Sequence, residues 1–208
     1  MNGDNQATAV KRNKDASFWK TNSDTVIKML VHQFGLTVFG FLLNSAASVS
    51  GNDLLVIGLG LFSAVFYLFL LYVVAWELGA KDKIRIDGGR MKRDIFKGAK
   101  INLVANIPNL IIATLALVGF LFIDKSIMTE GVYTDPAWAV NLRGIAQLVG
   151  NFLNAMYLGI GQYFNVLSSV WFLYAVCAPS IIVCGVGYYL GTHEICGVFA
   201  SSGNGQSK

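Results

Sequence analysis

Long apolar runs with few or no charged residues alternate with short polar segments along the chain, and the runs have the length of membrane-spanning helices. Residues 26–47 form the first run, 54–76 the second and 101–123 the third. A helix of about 20 apolar residues crosses the ~30 Å hydrocarbon layer of a bilayer. Since each run reaches that length, each is predicted to be a transmembrane helix.

A fourth apolar stretch, residues 144–193, has 50 residues without Asp, Glu, Lys or Arg. Its length predicts two crossings, at 144–161 and 166–190. The first has amides within roughly 80° of one another on a helix, so it either crosses with that face inward or lies in the outer interface. The predicted fold is an all-α integral membrane bundle of five transmembrane helices, with four plus one interfacial helix as the alternative. The amides on the polar face of the fourth predicted span are Gln147, Asn151, Asn154 and Gln162.

Positive charge is concentrated in two places. Of the 16 Lys and Arg residues, 13 lie either before residue 29 or in the loop 81–100, which carries 8 of them against 3 Asp. Loops rich in Lys and Arg stay on the cytoplasmic side of a membrane. We therefore expect a cytoplasmic N-terminal tail at 1–24, a helical domain at 25–191 whose loop 81–100 is cytoplasmic, and a flexible C-terminal tail at 192–208.

The pattern inside this loop predicts two elements. Alternation of polar and apolar residues at 83–86 predicts a short extended arm. From Arg90 onward, apolar residues recur at helical spacing among basic ones, which predicts a helix on an anionic inner leaflet. The alternative is that these charges only flank the next span and orient the protein in the membrane. The candidates for contact with anionic lipid are Arg90, Lys92, Arg93, Lys97 and Lys100.

Composition supports the membrane class. Apolar residues make up 54% of the 208 residues, charged residues only 13%, and the mean hydropathy is +0.55, whereas soluble domains have about 25% charged residues. The net charge of +4 lies in the two basic clusters, a distribution that orients a membrane protein and argues against a nucleic-acid partner. The expected location is the cytoplasmic (plasma) membrane, with the N-terminus inside.

The sequence contains no pattern typical of catalysis or of metal binding. It has no nucleophile elbow, no His-Glu-x-x-His and no carboxylate inside a predicted span. Cys177 and Cys184 lie in an apolar run and are expected to be buried thiols. The spacing of His193, Glu194 and Cys196 differs from that of usual zinc sites. We therefore expect a protein that is not an enzyme and that has no cofactor and no metal.

Asparagines form a stripe on the third predicted span. Asn102, Asn106 and Asn109 share one face, and Pro108 among them frees the carbonyl four residues earlier. Amides are costly against lipid tails, so this face should contact another helix or a water-filled cavity. In addition, 102–109 resembles 147–154 at an offset of 45 residues. Transporters with inverted repeats show such similarity; an accidental match between apolar segments is the alternative.

The asparagine stripe and the polar residues near the start of the first span define a candidate solute path. His32 is the only histidine in a predicted span, and an ionisable residue within a span is a candidate for function. Because it lies one turn after Lys28, a position at the membrane interface is the alternative interpretation. The solute-path candidates are His32, Gln33, Asn102, Asn106, Asn109, Asn151 and Asn154.

The last predicted span carries two signals for packing. Pro179 predicts a kink. Gly187 and Gly191 have the spacing that allows two helices to approach closely.

Two functions are consistent with these patterns. The first is a membrane subunit or interaction component of an assembly, for example a transport assembly, which binds other membrane subunits or further copies of itself. The alternative is a small-solute transporter with a site lined by the asparagine faces. In both cases the bilayer, with its anionic inner leaflet, is the expected environment.

Overall fold

The computed structural model describes residues 18–123, 128–129, 132–133 and 136–194, and these are almost entirely helical. In chain order the elements are α1 (Phe18–Val49), α2 (Asp53–Asp87), α3 (Lys97–Ala105), α4 (Ile107–Ile123), the two-stranded hairpin β1 (Met128–Thr129) and β2 (Val132–Tyr133), α5 (Ala137–Leu153), a 3₁₀ turn (Ala155–Tyr157), α6 (Leu158–Tyr163), α7 (Val170–Ala175) and α8 (Cys177–Thr192).

Within this described part, three helical segments are long and apolar enough to cross a membrane: Asn22–Val49, Asp53–Asp87 and Val170–Thr192. α3 and α4 qualify together as a fourth, although they are bent by 56° relative to each other. α5 has 17 residues. An all-helical architecture with membrane-type helices is thus confirmed, whereas the predicted number of five crossings is not.

Each of the three prolines stands at the start of a helix. Pro108 is the second residue of α4, Pro179 the third of α8, and Pro136 directly precedes α5. Proline donates no backbone hydrogen bond and clashes with the preceding turn, so it suits the first turn of a helix and interrupts a helix that reaches it. The kink predicted for Pro179 corresponds to a break at Val176, and the helix that carries Pro108 is interrupted at Asn106.

The fourth predicted span is a helical hairpin rather than one helix. α5 ends at Leu153, the 3₁₀ turn follows, and α6 begins at Leu158. α6 packs against α2, where Gly159 faces Gly60, and it runs toward the turn between α1 and α2, where Ser48 donates a hydrogen bond to Gln162 at 3.1 Å. The loop after α6 then returns to the side of α5. No single helix therefore covers the predicted span 144–161.

α2 is longer than predicted. Its 35 residues extend about 50 Å, well beyond the ~30 Å hydrocarbon layer. The extended arm predicted at 83–86 is wrong, because this segment is part of α2. The helix continues there because Ala75, Gly79 and Asp82 prolong its buried face.

α8 lies very close to α2. Gly187 is in contact with Tyr72 and Ala75, and Gly191 with the backbone of Trp76. A Cβ atom at Gly191 would overlap the carbonyl group of Trp76. The close helix contact predicted from the spacing of these two glycines is confirmed.

Glycines on the neighbouring helices complete this contact. Gly79 of α2 faces the backbone of Tyr188, and Gly98 of α3 faces Cys184. The larger apolar core is built mainly from α1, α2 and α3, and it includes Met156 and Tyr157 of the 3₁₀ turn and Cys184 of α8. A smaller core joins α4, α5 and α7 through Ala113, Ala116, Ala146, Val170 and Leu173.

Replacement of Gly191 by Ala should destabilise the bundle. The added methyl group overlaps the Trp76 carbonyl, and overpacking of this kind costs about 1–3 kcal/mol. The expected result is a lower midpoint of thermal unfolding in detergent. Gly185→Ala is the matched control on the same helix, because a Cβ there lies 3.5 Å from Ala99, which is an ordinary contact. Equal midpoints for the two variants would contradict the packing argument.

Candidate functional site

Three asparagines form a hydrogen-bonded ladder at the bend between α3 and α4. Asn106 Nδ2 donates to Asn102 Oδ1 at 2.9 Å, and Asn109 Nδ2 donates to Asn106 Oδ1 at 3.0 Å. Ser180 of α8 accepts from Asn106 at 3.2 Å and donates to Asn102 Oδ1 at 3.1 Å. All four side chains are buried. The predicted stripe therefore faces another helix, which is one of its two predicted environments.

Two grooves in the described part of the structure lie elsewhere. One is lined by apolar residues of α4 and by Thr114, and the other lies between α5 and the loop after α6. Neither is lined by Asn102, Asn106 or Asn109. Amides that bond to one another across helices stabilise helix association inside a membrane. The ladder has the geometry of such a contact.

His32 and Gln33 are not hydrogen-bonded to the ladder within the described structure. His32 Nδ1 lies 2.8 Å from the carbonyl oxygen of Lys28, one turn earlier in α1, while Gln33 is buried. The contact from α1 comes from Met29, whose sulfur accepts from Asn102 Nδ2 at 3.8 Å. Sequence analysis missed Met29 because an apolar thioether in an apolar helix gives no signal of a polar contact.

Asn151 and Asn154 hold the hairpin together. Asn154 is buried and donates to the carbonyl of Gly150 at 2.9 Å. Asn151 and Gln147 both donate to the carbonyl of Leu167, at 3.1 and 2.7 Å. These bonds fix the loop after α6 against α5. The five asparagines among the solute-path candidates are thus divided between two places, the ladder and the hairpin, and His32 and Gln33 of α1 belong to neither.

Three helix interruptions come together in the bundle interior. The bend at Asn106 lies beside the break at Val176, because Asn106 bonds to Ser180 shortly after that break. Tyr157 of the 3₁₀ turn belongs to the same buried cluster as Val176 and packs edge-on against Tyr67, with ring centroids 6.2 Å apart. Non-helical backbone is tolerated at membrane depth where protein covers it or where it lines a water-filled cavity; here protein covers it.

A buried ion pair lies at the end of the bundle that carries the basic loop. Asp82 of α2 is fully buried, and its Oδ2 accepts from Lys97 Nζ at 2.5 Å and from the Tyr188 hydroxyl at 3.1 Å. Arg85 Nη1 lies 3.5 Å from the other carboxylate oxygen. These contacts join α2, α3 and α8. Sequence analysis missed this site because it treated Asp82 as one more charge in a solvated loop.

Lys97 was wrongly predicted to face lipid. Its ammonium group is buried because it pairs with Asp82. The helix predicted from Arg90 is also wrong, since residues 88–96 are irregular and α3 begins only at Lys97. Asp94 accepts from the backbone N–H of Phe96 at 3.1 Å just before that start. The other predicted lipid-facing residues are exposed: Arg90, Lys92, Arg93 and Lys100.

The end of α8 is attached to this same end of the bundle. Lys83 Nζ lies 2.9 Å from a carboxylate oxygen of Glu194. Arg93 Nη2 lies 2.8 Å from His193 Nε2. Among the residues that the structure describes, no group of three or more His, Cys, Asp or Glu side chains is arranged to hold a metal ion; Cys196 lies outside them.

Replacement of Lys97 by Met should strongly destabilise the protein. It leaves the Asp82 carboxylate buried without its main partner, and breaking a buried ion pair costs about 3–5 kcal/mol. Adding Asp82→Asn should recover most of the loss of thermal stability in detergent. Lys100→Met is the control, because the pair with Asp94 is exposed and is expected to contribute at most about 1 kcal/mol. A Lys97 variant as stable as the Lys100 variant would refute the assigned role of the buried pair.

Comparison of the chain with protein-family models, with curated proteins and with solved structures finds no match.

Proposed function

We propose that the protein is an integral component of the cytoplasmic (plasma) membrane and acts, without catalysis, as a subunit or interaction component of a membrane assembly, such as a transport assembly. One observation carries this proposal: the buried asparagines at the bend between α3 and α4 and the buried Asp82 are bound by other side chains of the bundle. Ser180 completes the asparagine ladder, and Lys97 and Tyr188 bind Asp82. A bundle whose interior is occupied in this way contacts other molecules mainly through its outer surface.

In the proposed orientation the N-terminus and the loop 81–100 are cytoplasmic, and the charge of this loop supports that orientation. The contacts of Lys83 with Glu194 and of Arg93 with His193 put the end of α8 on the same side as the loop. An odd number of crossings would separate the end of α8 from the N-terminus. We therefore propose four crossings, formed by α1, α2, α3 with α4, and α7 with α8, and a hairpin of α5 and α6 that enters from the outer side.

The outer surface offers two kinds of contact. Aromatic side chains of α1 and α2 face outward, and Phe62 and Phe66 stack with centroids 6.0 Å apart; this face suits a helix of another subunit or of a second copy. On the cytoplasmic side, Arg90 and Lys92 are exposed and suit the anionic inner leaflet, where each such charge contributes about 1 kcal/mol.

A small-solute transporter is the second candidate, and the three helix interruptions favour it. Many transporters bind their substrates near the membrane midplane, at helices broken in this way. For this chain, a solute would have to replace the bonds among Asn102, Asn106 and Ser180. This function therefore requires a second conformation in which the ladder is open.

Labelling of single cysteines should reveal the proposed topology. In a variant in which Cys177, Cys184 and Cys196 are replaced by Ala, a membrane-impermeant maleimide added to intact cells should label cysteine introduced at Ser50 but not at Lys92. Because four crossings put both ends of the bundle inside, cysteine introduced at Glu194 should also remain unlabelled until the cells are opened. Labelling of the Glu194 position from outside, with Lys92 protected, would instead establish an odd number of crossings.

Purification from its native membrane in mild detergent should yield the protein together with a stoichiometric membrane partner or as a defined oligomer. Asn106→Ala should then leave the complex intact and lower the stability of the protein by about 0.6–2 kcal/mol, the range for one interhelical hydrogen bond. The measurements are quantitative mass spectrometry and thermal unfolding with a panel of small solutes. A monomer that purifies alone, and that one solute stabilises only when Asn106 is present, would reject the subunit proposal in favour of the transporter.

A further inference from the structure

A groove of about 460 Å³ lies between α5 and the loop after α6. Arg143, Gln147 and Asn151 contribute its polar wall, and Val140 and Leu148 contribute apolar surface. The helical hairpin creates this groove, because the bonds from Gln147 and Asn151 to the carbonyl of Leu167 hold the loop at a fixed distance from α5.

Arg143 gives the groove its charge. It is the only charged residue in the sequence between Asp135 and Glu194. Its guanidinium group donates to the carbonyl of Ser168 at 3.3 Å and lies over the ring of Phe120, 5.1 Å from the centroid. Within the described part of the chain, no carboxylate forms an ion pair with Arg143. A guanidinium group has five N–H donors, whose planar arrangement matches a phosphate group.

The surroundings of the groove indicate a lipid rather than a soluble anion. Trp138 is half exposed and packs on Phe122 with centroids 4.8 Å apart, and exposed Trp side chains are typical of the membrane–water interface. Arg143 follows Trp138 by five residues, about 7 Å along the helix. From this depth below the interface, a long basic side chain reaches the level of the lipid phosphates. Ile145 and Leu148 are 65% and 70% exposed, as expected of side chains in contact with acyl chains.

We propose that this groove binds the phosphate group of a membrane phospholipid. Arg143 binds the phosphate, and the apolar wall at Val140 and Leu148 contacts the adjoining part of the lipid. The inference rests on the membrane placement proposed above but not on the proposed orientation or on a partner protein.

Native mass spectrometry of the delipidated full-length protein tests this proposal. The protein is titrated with phosphatidylglycerol, with phosphatidylethanolamine and with diacylglycerol, which lacks the phosphate. We expect one phospholipid to bind with saturable affinity, and diacylglycerol to bind at least tenfold more weakly. Arg143→Gln should weaken binding of the phospholipids about tenfold.

A second variant addresses the groove without removing the charge. Gly144 lines the groove, and a side chain there meets no atom within 4 Å of its Cβ position, so Gly144→Leu should fold normally and obstruct the site. Gly35→Leu is the matched control, because Gly35 of α1 is equally unobstructed and is not part of the groove. We expect about tenfold weaker phospholipid binding for Gly144→Leu and wild-type binding for Gly35→Leu.

Three results would overturn the proposal. Wild-type phospholipid affinity in both Arg143→Gln and Gly144→Leu would exclude the groove as the binding site. Equal binding of diacylglycerol would show that the phosphate is not recognised. Displacement of the phospholipid by millimolar inorganic phosphate would assign the site to a free anion. None of these results depends on whether a partner protein co-purifies, so the subunit proposal stands or fails separately.

Discussion

The close approach of α8 to α2 is the contact on which the other features of the structure depend. Lipid tails are as apolar as leucine side chains, so helices in a bilayer gain little by burying apolar surface and associate through packing and hydrogen bonds. Small residues strengthen the packing between helices, because they let the backbones touch. Gly187 and Gly191 of α8 and Gly79 of α2 let the two backbones touch in this way. This close contact places the Tyr188 hydroxyl 3.1 Å from Asp82.

The position of Asp82 in turn determines the structure of the basic end. A buried carboxylate requires a partner, and Lys97 supplies it from α3. This pairing explains why α2 continues as a helix past the apolar run, and why the start of α3 is turned inward instead of lying on the membrane surface. Without α8 beside it, Asp82 would have no Tyr188 to complete its hydrogen bonds.

Sequence analysis succeeded where the cause is local. Pro108 and Pro179 interrupt their helices because of their own covalent structure, and the spacing of Gly187 and Gly191 is a property of one helix face. Their consequences were therefore visible in the sequence. The prediction for Lys97 failed, because the rule that orients basic loops counts every positive charge alike. Burial of Lys97 depends on the carboxylate of Asp82, 15 residues away in the sequence.

The hairpin of α5 and α6 was missed for a related reason. An uncharged stretch of suitable length is compatible with a crossing, an interfacial helix or a chain that turns back. The distinction depends on contacts with other elements: Gln162 reaches Ser48 at one end of α1, while Leu153 accepts from Thr37 near its middle. No pattern within residues 144–161 encodes those contacts.

The polar residues at the three interruptions have a structural cause that involves no ligand. Wherever a helix is interrupted, carbonyl groups lose their backbone partners, and in a membrane interior water does not replace them. Side chains bind carbonyl oxygens at each interruption: Asn106 binds Asn102, Ser180 binds Cys177, Asn154 binds Gly150 and Thr37 binds Leu153. The carbonyls of Asn102 and Gly150 also accept a backbone N–H, so there the side-chain bond is an additional one.

This pattern bears on the choice between the two functions. As a subunit, the protein needs only the conformation described here, in which the asparagines bind one another and nearby carbonyl groups and the breaks allow helices to pack at different angles. As a transporter, it needs a second conformation that exposes Asn102, Asn106 and Ser180 together. Each hydrogen bond that is broken in the ladder must be replaced by one to water or to the solute, since an unsatisfied buried polar group is costly. Opening the ladder therefore requires that water or solute enter the bundle to the depth of Asn106.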